Sequence, residues 1–236
     1  MKTLLAVPAA PMSQPPGPVR LQGSLLSGAE QRARVWMARR LPDRVNSDHL
    51  SALGLASMVG VGASFWLAGS HPQVGLPLVV VFLFLNWLGD SLDGTLARVR
   101  NRLRPRYGFY VDHVSDVAGT ALMLVGLALS GFMDPLVALA TLSAWLLVSA
   151  ESFLATHTRG VFKMSFLWFG PTEFRILIAA GALRLLLGGW VTVLDMGPYR
   201  LFDIGGVVAS LGMAVAFIVN AIRSTAVLYR EEPESR

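Results

Sequence analysis

Residues 86–116, NWLGDSLDGTLARVRNRLRPRYGFYVDHVSD, place a group of aspartates at the ends of two apolar segments. The group consists of Asp90, Asp93, Asp112 and Asp116. An ionised carboxylate inside a membrane is costly unless it faces a cavity, a partner or a metal ion. If the flanking segments cross a membrane, these aspartates are therefore expected to be functional.

The composition of the whole chain is typical of a membrane protein. Of its 236 residues, 53% are hydrophobic and 15% are charged, and the mean hydropathy is +0.54. Soluble domains carry roughly 25% charged residues. The sequence contains no cysteine, which excludes a disulfide framework, a thiolate zinc site and a cysteine nucleophile. The net charge is nevertheless +5, so the position of the basic residues needs an explanation.

We predict an all-α integral membrane protein with six transmembrane helices. Each predicted span is long enough to cross about 30 Å of hydrocarbon at about 1.5 Å per residue. The spans cover residues 49–69, 75–98, 108–131, 135–156, 171–193 and 202–227. Because the connections are short, consecutive spans are expected to be antiparallel neighbours.

The six-span domain, residues 42–229, is flanked by segments of different composition. Residues 1–23 are rich in proline and are predicted to form a flexible tail; their apolar run is too short for a signal peptide. Residues 24–41 alternate apolar and arginine positions, as in an amphipathic juxtamembrane helix at an anionic leaflet. A solvated basic arm is the alternative interpretation of that segment. Residues 230–236 are predicted to form a cytoplasmic tail.

The distribution of basic residues predicts the orientation of the spans. The connection between the second and third spans contains Arg98, Arg100, Arg102, Arg104 and Arg106. By contrast, the first, third and fifth connections together contain a single arginine, at position 200. Because cytoplasmic loops are enriched in lysine and arginine, both termini and the aspartates are predicted to lie on the cytoplasmic side, in the inner or plasma membrane of a prokaryote.

The spacing of the aspartates places them on two helix faces. At about 100° per residue, one face of the second span carries Asp90, Asp93, Gly94 and Ala97. One face of the third span carries Gly108, Asp112 and Asp116. Converging carboxylates repel one another unless cations compensate them, and carboxylate clusters suit hard divalent cations such as Mg²⁺, Mn²⁺ or Ca²⁺. The pattern therefore predicts a metal site between the two helices.

These residues form a pattern that resembles the signature of the CDP-alcohol phosphotransferase family, membrane enzymes of phospholipid head-group synthesis. The pattern runs Asp90-x2-Asp93-Gly94-x2-Ala97-Arg98-x9-Gly108-x3-Asp112-x3-Asp116. The interval between the arginine and the second glycine is one residue longer than the usual family interval. The extra residue falls in the predicted connection between the spans.

The resemblance implies a role for each residue of the motif. The implied metal ligands are Asp90, Asp93, Asp112 and Asp116, with Asp116 also acting as general base. The implied pocket for the CDP moiety is lined by Gly94, Ala97, Arg98 and Gly108. Enzymes of the family use two divalent cations, Mg²⁺ or Mn²⁺, and often form homodimers. In the implied reaction, an acceptor hydroxyl attacks the β-phosphorus of a CDP-linked alcohol and CMP leaves.

Four basic residues elsewhere are candidates for binding the acceptor or a lipid phosphate. They are Arg159, Lys163, Arg175 and Arg223. For the segment around Pro171 and Glu173, simple capping of the fifth span is the competing interpretation.

Three functions fit the sequence to different degrees. The first is transfer of a phosphatidyl group from CDP-diacylglycerol to a small hydroxylated acceptor, with membrane lipid but no nucleic acid among the partners. The alternative is a phosphotransferase that uses CDP-choline or CDP-ethanolamine with diacylglycerol as acceptor, because the motif recognises the CDP and metal core and not the alcohol. A cation-coupled transporter is a more distant alternative, since the paired repeats or broken helices of transporters are not evident.

Overall fold

The computed structural model describes residues 19–20, 27–159, 161–162, 171–193 and 196–232. The helices are α1 (Ser27–Arg40), α2 (Ser47–Ala68), α3 (Pro72–Val99), α4 (Pro105–Leu129), α5 (Pro135–Arg159), α6 (Pro171–Leu185) and α7 (Leu201–Glu231). The strands are β1 (Val19–Arg20), β2 (Val161–Phe162), β3 (Trp190–Val193) and β4 (Met196–Arg200). β1 pairs with β2 in parallel, and β3 pairs with β4 in antiparallel orientation.

The prediction of an all-α integral membrane fold is confirmed. Within the described ranges, five helices are long and apolar enough to cross a membrane, namely α2, α3, α4, α5 and α7. Their starts and ends follow the predicted first, second, third, fourth and sixth spans within a few residues. Both described sheets are two-stranded: β1 precedes α1, β2 lies between α5 and α6, and β3 and β4 lie between α6 and α7.

The helix predicted for the fifth span, residues 171–193, extends beyond the observed end of α6 at Leu185. Helix α6 has 15 residues, which at about 1.5 Å per residue gives a helix shorter than the hydrocarbon core. It ends at Leu185 and continues into a turn, in which Gly188 has a φ of +132° that side-chain-bearing residues rarely adopt. The apolar, β-branched run Trp190–Val193 then forms strand β3 rather than helix. A count of six spans therefore stays a prediction.

Helix α2 lies at the centre of the bundle and packs against both α3 and α4. Glycines allow the close approach on each side. A Cβ added at Gly89 of α3 would lie 2.6 Å from the carbonyl oxygen of Leu50, and one added at Gly126 of α4 would lie 2.1 Å from the carbonyl oxygen of Gly62. Both distances are far shorter than van der Waals contact, so these positions require glycine.

Replacing Gly126 with alanine is expected to lower the free energy of unfolding by about 1–3 kcal/mol, because overpacking forces the helix backbones apart. Thermal unfolding of the purified protein in detergent measures the loss. Gly212→Ala on α7 is the matched control, since a Cβ there meets no atom of the described residues within 4 Å. Equal unfolding temperatures for the two variants would contradict the close packing of α2 and α4.

The connection between α3 and α4 is anchored to the segment that precedes α2. The Arg100 guanidinium donates hydrogen bonds to the carbonyl oxygens of Leu41, Pro42 and Val45. Arg104 forms an ion pair with Asp48 in the first turn of α2. Two of the five clustered arginines therefore serve to fix the connection, and they also hold it beside the start of α2.

Helix α1 (Ser27–Arg40) lies within residues 24–41, where the sequence predicts a helix; its location at a membrane surface stays a prediction. Its Ala38 is buried with Leu50, Leu92 and Leu96, which belong to α2 and α3. On the exposed part of the helix, the Arg40 guanidinium lies 3.7 Å from the ring centroid of Trp36. Helix α1 is thus attached to the bundle on one side and carries aromatic and basic side chains on another.

Candidate active site

Three of the four motif aspartates converge. They are Asp90, Asp112 and Asp116, and each has a carboxylate oxygen that lies within 4.8 Å of an oxygen of the other two. Asp90 comes from α3, and the other two come from successive turns of α4. All three residues are half-buried. Of the predicted α3 stripe, Asp90 therefore meets both aspartates of the predicted α4 stripe.

The backbones of the helices that carry these aspartates do not pack closely against each other, in contrast to the direct packing expected from their short connection. α3 and α4, both described along their whole length, make no extended contact with each other. Helix α2 packs against both instead, because its glycines and those of its neighbours permit close contact on two sides. The carboxylates consequently meet across a gap between α3 and α4.

Asp93, the fourth predicted ligand, is placed differently. Its carboxylate accepts a hydrogen bond of 2.6 Å from the Ser51 hydroxyl and another from the backbone N–H of Gly94. Its backbone carbonyl accepts a hydrogen bond from the Ser47 hydroxyl. Asp93 thus connects α3 to the first turns of α2, and it does not belong to the group of three.

Arg175 of α6 lies against the carboxylate group. Its Nη2 donates a 2.6 Å hydrogen bond to Oδ2 of Asp90, and its Nε donates a 2.7 Å hydrogen bond to Oδ1 of Asn86. The buried Asn86 in turn donates through Nδ2 to the carbonyl oxygen of Gly54 at 3.0 Å. This polar chain connects α6, α3 and α2 directly beside the converging aspartates.

Two of the four residues predicted to line a CDP pocket, both glycines, lie beside open space. A Cβ added at Gly94 or Gly108 would meet no atom of the described residues within 4 Å. Unlike Gly126, these two glycines are not explained by helix packing. Ala97 is half-buried, and Arg98 is exposed at the end of α3. The missing side chains leave room for a ligand beside the carboxylates.

The described residues among the four predicted acceptor residues have different surroundings. Arg175 contacts Asp90, as described above. Arg159 of α5 donates a 3.2 Å hydrogen bond to the Ser224 hydroxyl of α7, which donates to a carboxylate oxygen of Glu151 at 3.0 Å. Arg223 is exposed on α7, and Lys163 lies outside the described residues.

His113 follows Asp112 in sequence but is directed into an aromatic environment. Its Nδ1 lies 2.6 Å from the carbonyl oxygen of Phe109 and 3.7 Å from Oδ2 of Asp112. Its ring stacks on Phe109 and contacts the edge of Phe153. The residue is buried, and these contacts are those of a side chain that supports the position of α4 against α5.

The chemistry of the site suits a divalent cation. Three half-buried carboxylates so close together cannot all remain ionised without positive charge nearby, and their oxygen atoms are the donors that hard cations prefer. Arg175 supplies one positive charge, which leaves the group with an excess of negative charge. The residues present therefore fit a bound divalent metal ion.

Sequence reasoning missed the contacts that support the aspartates. Asn86 lies one helical turn before Asp90 on the same face, and a buried amide in so apolar a helix was a signal for a polar partner. Ser47 and Ser51 are also one turn apart, on α2, and both donate hydrogen bonds to Asp93. Their partners lie on other helices, so sequence spacing did not identify them.

Comparison with known proteins places this architecture in a family. No curated protein sequence matches the chain at a significant level. The crystal structure of Mycobacterium tuberculosis phosphatidylinositol phosphate synthase with CDP-DAG bound resembles the fold with a TM-score of 0.55 and 20% sequence identity, over 84% of this chain and 94% of that chain. The family model for CDP-alcohol phosphatidyltransferase matches residues 48–225. The resemblance inferred from the motif is thereby confirmed, and the chain belongs to the CDP-alcohol phosphatidyltransferase family of membrane enzymes.

Proposed function

We propose that the protein transfers a phosphatidyl group from CDP-diacylglycerol to a small hydroxylated acceptor and releases CMP. The observation that carries the proposal is the convergence of Asp90, Asp112 and Asp116 beside the open space at Gly94 and Gly108. The similar fold of a synthase determined with CDP-DAG bound supports the choice of donor. We also propose that the site faces the cytoplasm, that the protein resides in a prokaryotic inner membrane, and that it forms a homodimer.

In this proposal the three converging aspartates hold divalent cations, Mg²⁺ or Mn²⁺, two in number as in the family. Bound cations would supply positive charge that neutralises the pyrophosphate of the donor and stabilises the departing phosphate. Asp93 is the predicted fourth ligand. Its contacts with Ser51 and Gly94 fix the orientation of its carboxylate relative to α2.

The chain's own side chains perform the remaining steps. Asp116 accepts the proton of the acceptor hydroxyl as general base. The hydroxyl oxygen then forms a bond to the β-phosphorus, and the bond from that phosphorus to the oxygen of CMP breaks. Gly94 and Gly108 leave space for the CDP moiety, and Arg98 binds a phosphate through its permanently charged guanidinium.

The acceptor is identified by measuring CMP release from labelled CDP-diacylglycerol. The purified protein is incubated with Mn²⁺, the labelled donor and one acceptor at a time. The acceptors are glycerol phosphate, inositol, inositol phosphate, serine and choline. We expect one of these acceptors to stimulate CMP release. If CMP is released from CDP-choline with diacylglycerol as acceptor, and not from CDP-diacylglycerol with any acceptor, then CDP-choline and not CDP-diacylglycerol is the donor. Absence of CMP release from either donor would overturn the proposed reaction.

Replacing Arg98 with alanine is expected to raise the KM for CDP-diacylglycerol by about 10-fold or more, because a charge-assisted hydrogen bond to phosphate is lost. CMP release measured over a range of donor concentrations tests this expectation. Arg102→Ala is the matched control, because Arg102 is also exposed and lies in the connection after α3. Equal effects of the two substitutions would indicate general attraction of the anionic donor rather than binding by Arg98.

A further inference from the structure

A permanently charged side chain contacts one member of the carboxylate group. The Arg175 side chain is 12% exposed and the Asp90 side chain 27% exposed, with 2.6 Å between Nη2 and Oδ2. An ion pair that is this shielded from water interacts more strongly than a surface pair. Arg175 also belongs to α6, whereas the aspartates belong to α3 and α4.

The orientation of the guanidinium is fixed by a second, uncharged partner. Nε of Arg175 donates to Asn86, and Asn86 donates to the Gly54 carbonyl. Asn86 and Asp90 are one turn apart on α3, so the guanidinium bridges two successive turns of the same helix face. A planar guanidinium can satisfy both partners at once, which a lysine ammonium does with less geometric precision.

Without this arginine, the negative charge of the three aspartates has no permanently charged counter-ion among the contacts described above. Asp90, Asp112 and Asp116 bring three carboxylates within 4.8 Å. His113 lies 3.7 Å from Asp112 but hydrogen-bonds through the same nitrogen to a backbone carbonyl. The contact from Arg175 to Asp90 therefore supplies a permanent positive charge in the midst of three like-charged groups.

We propose that Arg175 is a positioning residue that acts as a counter-ion of this carboxylate group. It compensates the charge of Asp90 and holds that carboxylate in the orientation in which it meets the two aspartates of α4. The inference rests on the metal site of the proposed function, because a divalent cation supplies the same compensation when it binds. Arg175 and the cation therefore stabilise the folded protein in partly overlapping ways.

The test compares thermal unfolding of wild type and Arg175→Met in detergent, once in EDTA and once in Mn²⁺. In EDTA the variant is expected to unfold about 5 °C or more below wild type, because removing one partner leaves an uncompensated, partly buried charge. In Mn²⁺ the difference is expected to shrink to less than half of that value. The stabilisation by Mn²⁺ is thus larger in the variant than in wild type.

Three further variants separate charge compensation from packing. Asp90→Asn combined with Arg175→Met is expected to recover most of the lost stability in EDTA, because the excess negative charge is removed together with the arginine. Arg175→Lys is expected to recover part of it. Arg184→Met is the matched control on the same helix, where the guanidinium donates to the Gly188 carbonyl, and its effect is expected to be equal in EDTA and in Mn²⁺.

Two results would overturn the proposal. One is an equal loss of stability for Arg175→Met in EDTA and in Mn²⁺ while Mn²⁺ stabilises wild type. The other is the absence of any recovery in the Asp90→Asn double variant in EDTA. A failure of Mn²⁺ to stabilise wild type would instead contradict the metal site of the proposed function, and the comparison in EDTA would still decide whether Arg175 compensates Asp90. If Arg175→Met does not fold, the neutral but polar variant Arg175→Gln takes its place in both comparisons.

Discussion

Replacing Asp116 with asparagine is expected to reduce the rate of CMP release by at least about 10³-fold. General-base catalysis contributes about 10²–10⁴-fold, and the same carboxylate is one of the three that converge. Asparagine has nearly the same size but accepts a proton far less readily and carries no charge. The substitution therefore removes both the proposed base and a proposed metal ligand, while the space at Gly94 and Gly108 is unchanged.

The measurement is single-turnover CMP release with the best acceptor, together with binding of a labelled CDP-alcohol. We expect turnover to be lost and some nucleotide binding to be retained. Asp134→Asn is the matched control, since Asp134 accepts a hydrogen bond from the backbone of Leu136 at the start of α5 and lies in the connection at the opposite end of α4. A rate of CMP release near that of wild type in Asp116→Asn would contradict the assignment of the base.

Removal of divalent cations is expected to have a comparable effect on the rate of CMP release. The three carboxylates and the donor pyrophosphate are all negatively charged, so they repel one another in the absence of compensating cations. The one arginine in contact with Asp90 compensates only one of these negative charges. Dialysis against EDTA should therefore lower the rate by at least about 10³-fold, in line with the size of electrostatic contributions to catalysis.

Titration of Mg²⁺ and of Mn²⁺ into the dialysed protein should restore the rate. Potassium at matched ionic strength is the control, because it screens charge without providing a divalent ligand site. Unchanged turnover after dialysis, with residual metal verified by elemental analysis to be below one ion per ten chains, would contradict a metal-dependent reaction. A rate restored equally by potassium would indicate screening alone.

The candidate site could be predicted from sequence largely because its residues are local. Asp112 and Asp116 are one turn apart, so any α-helix places them on one face. The apolar segments around them were long enough to identify helices that cross a membrane. Asp90 and these two aspartates are separated by a short connection, which limits the distance between them even before the packing is known.

The supporting contacts could not be predicted in the same way, because they join distant parts of the chain. Arg175 and Asp90 are 85 positions apart, and their contact depends on how α6 docks on α3. The close packing expected between α3 and α4 is not found for a related reason: tertiary packing against the glycines of α2 outweighed proximity along the chain. The end of α6 was missed because hydropathy does not distinguish an apolar strand from the last turns of an apolar helix.

The central position of α2 has a consequence for how the family signature varies. The relative position of the two aspartate helices is set by their separate contacts with a third helix, and the connection between them is tied to the start of that same helix by Arg100 and Arg104. Its length is then under little constraint, which accounts for the additional residue between Arg98 and Gly108. The extra residue accordingly lengthens the connection without displacing the two halves of the motif from each other.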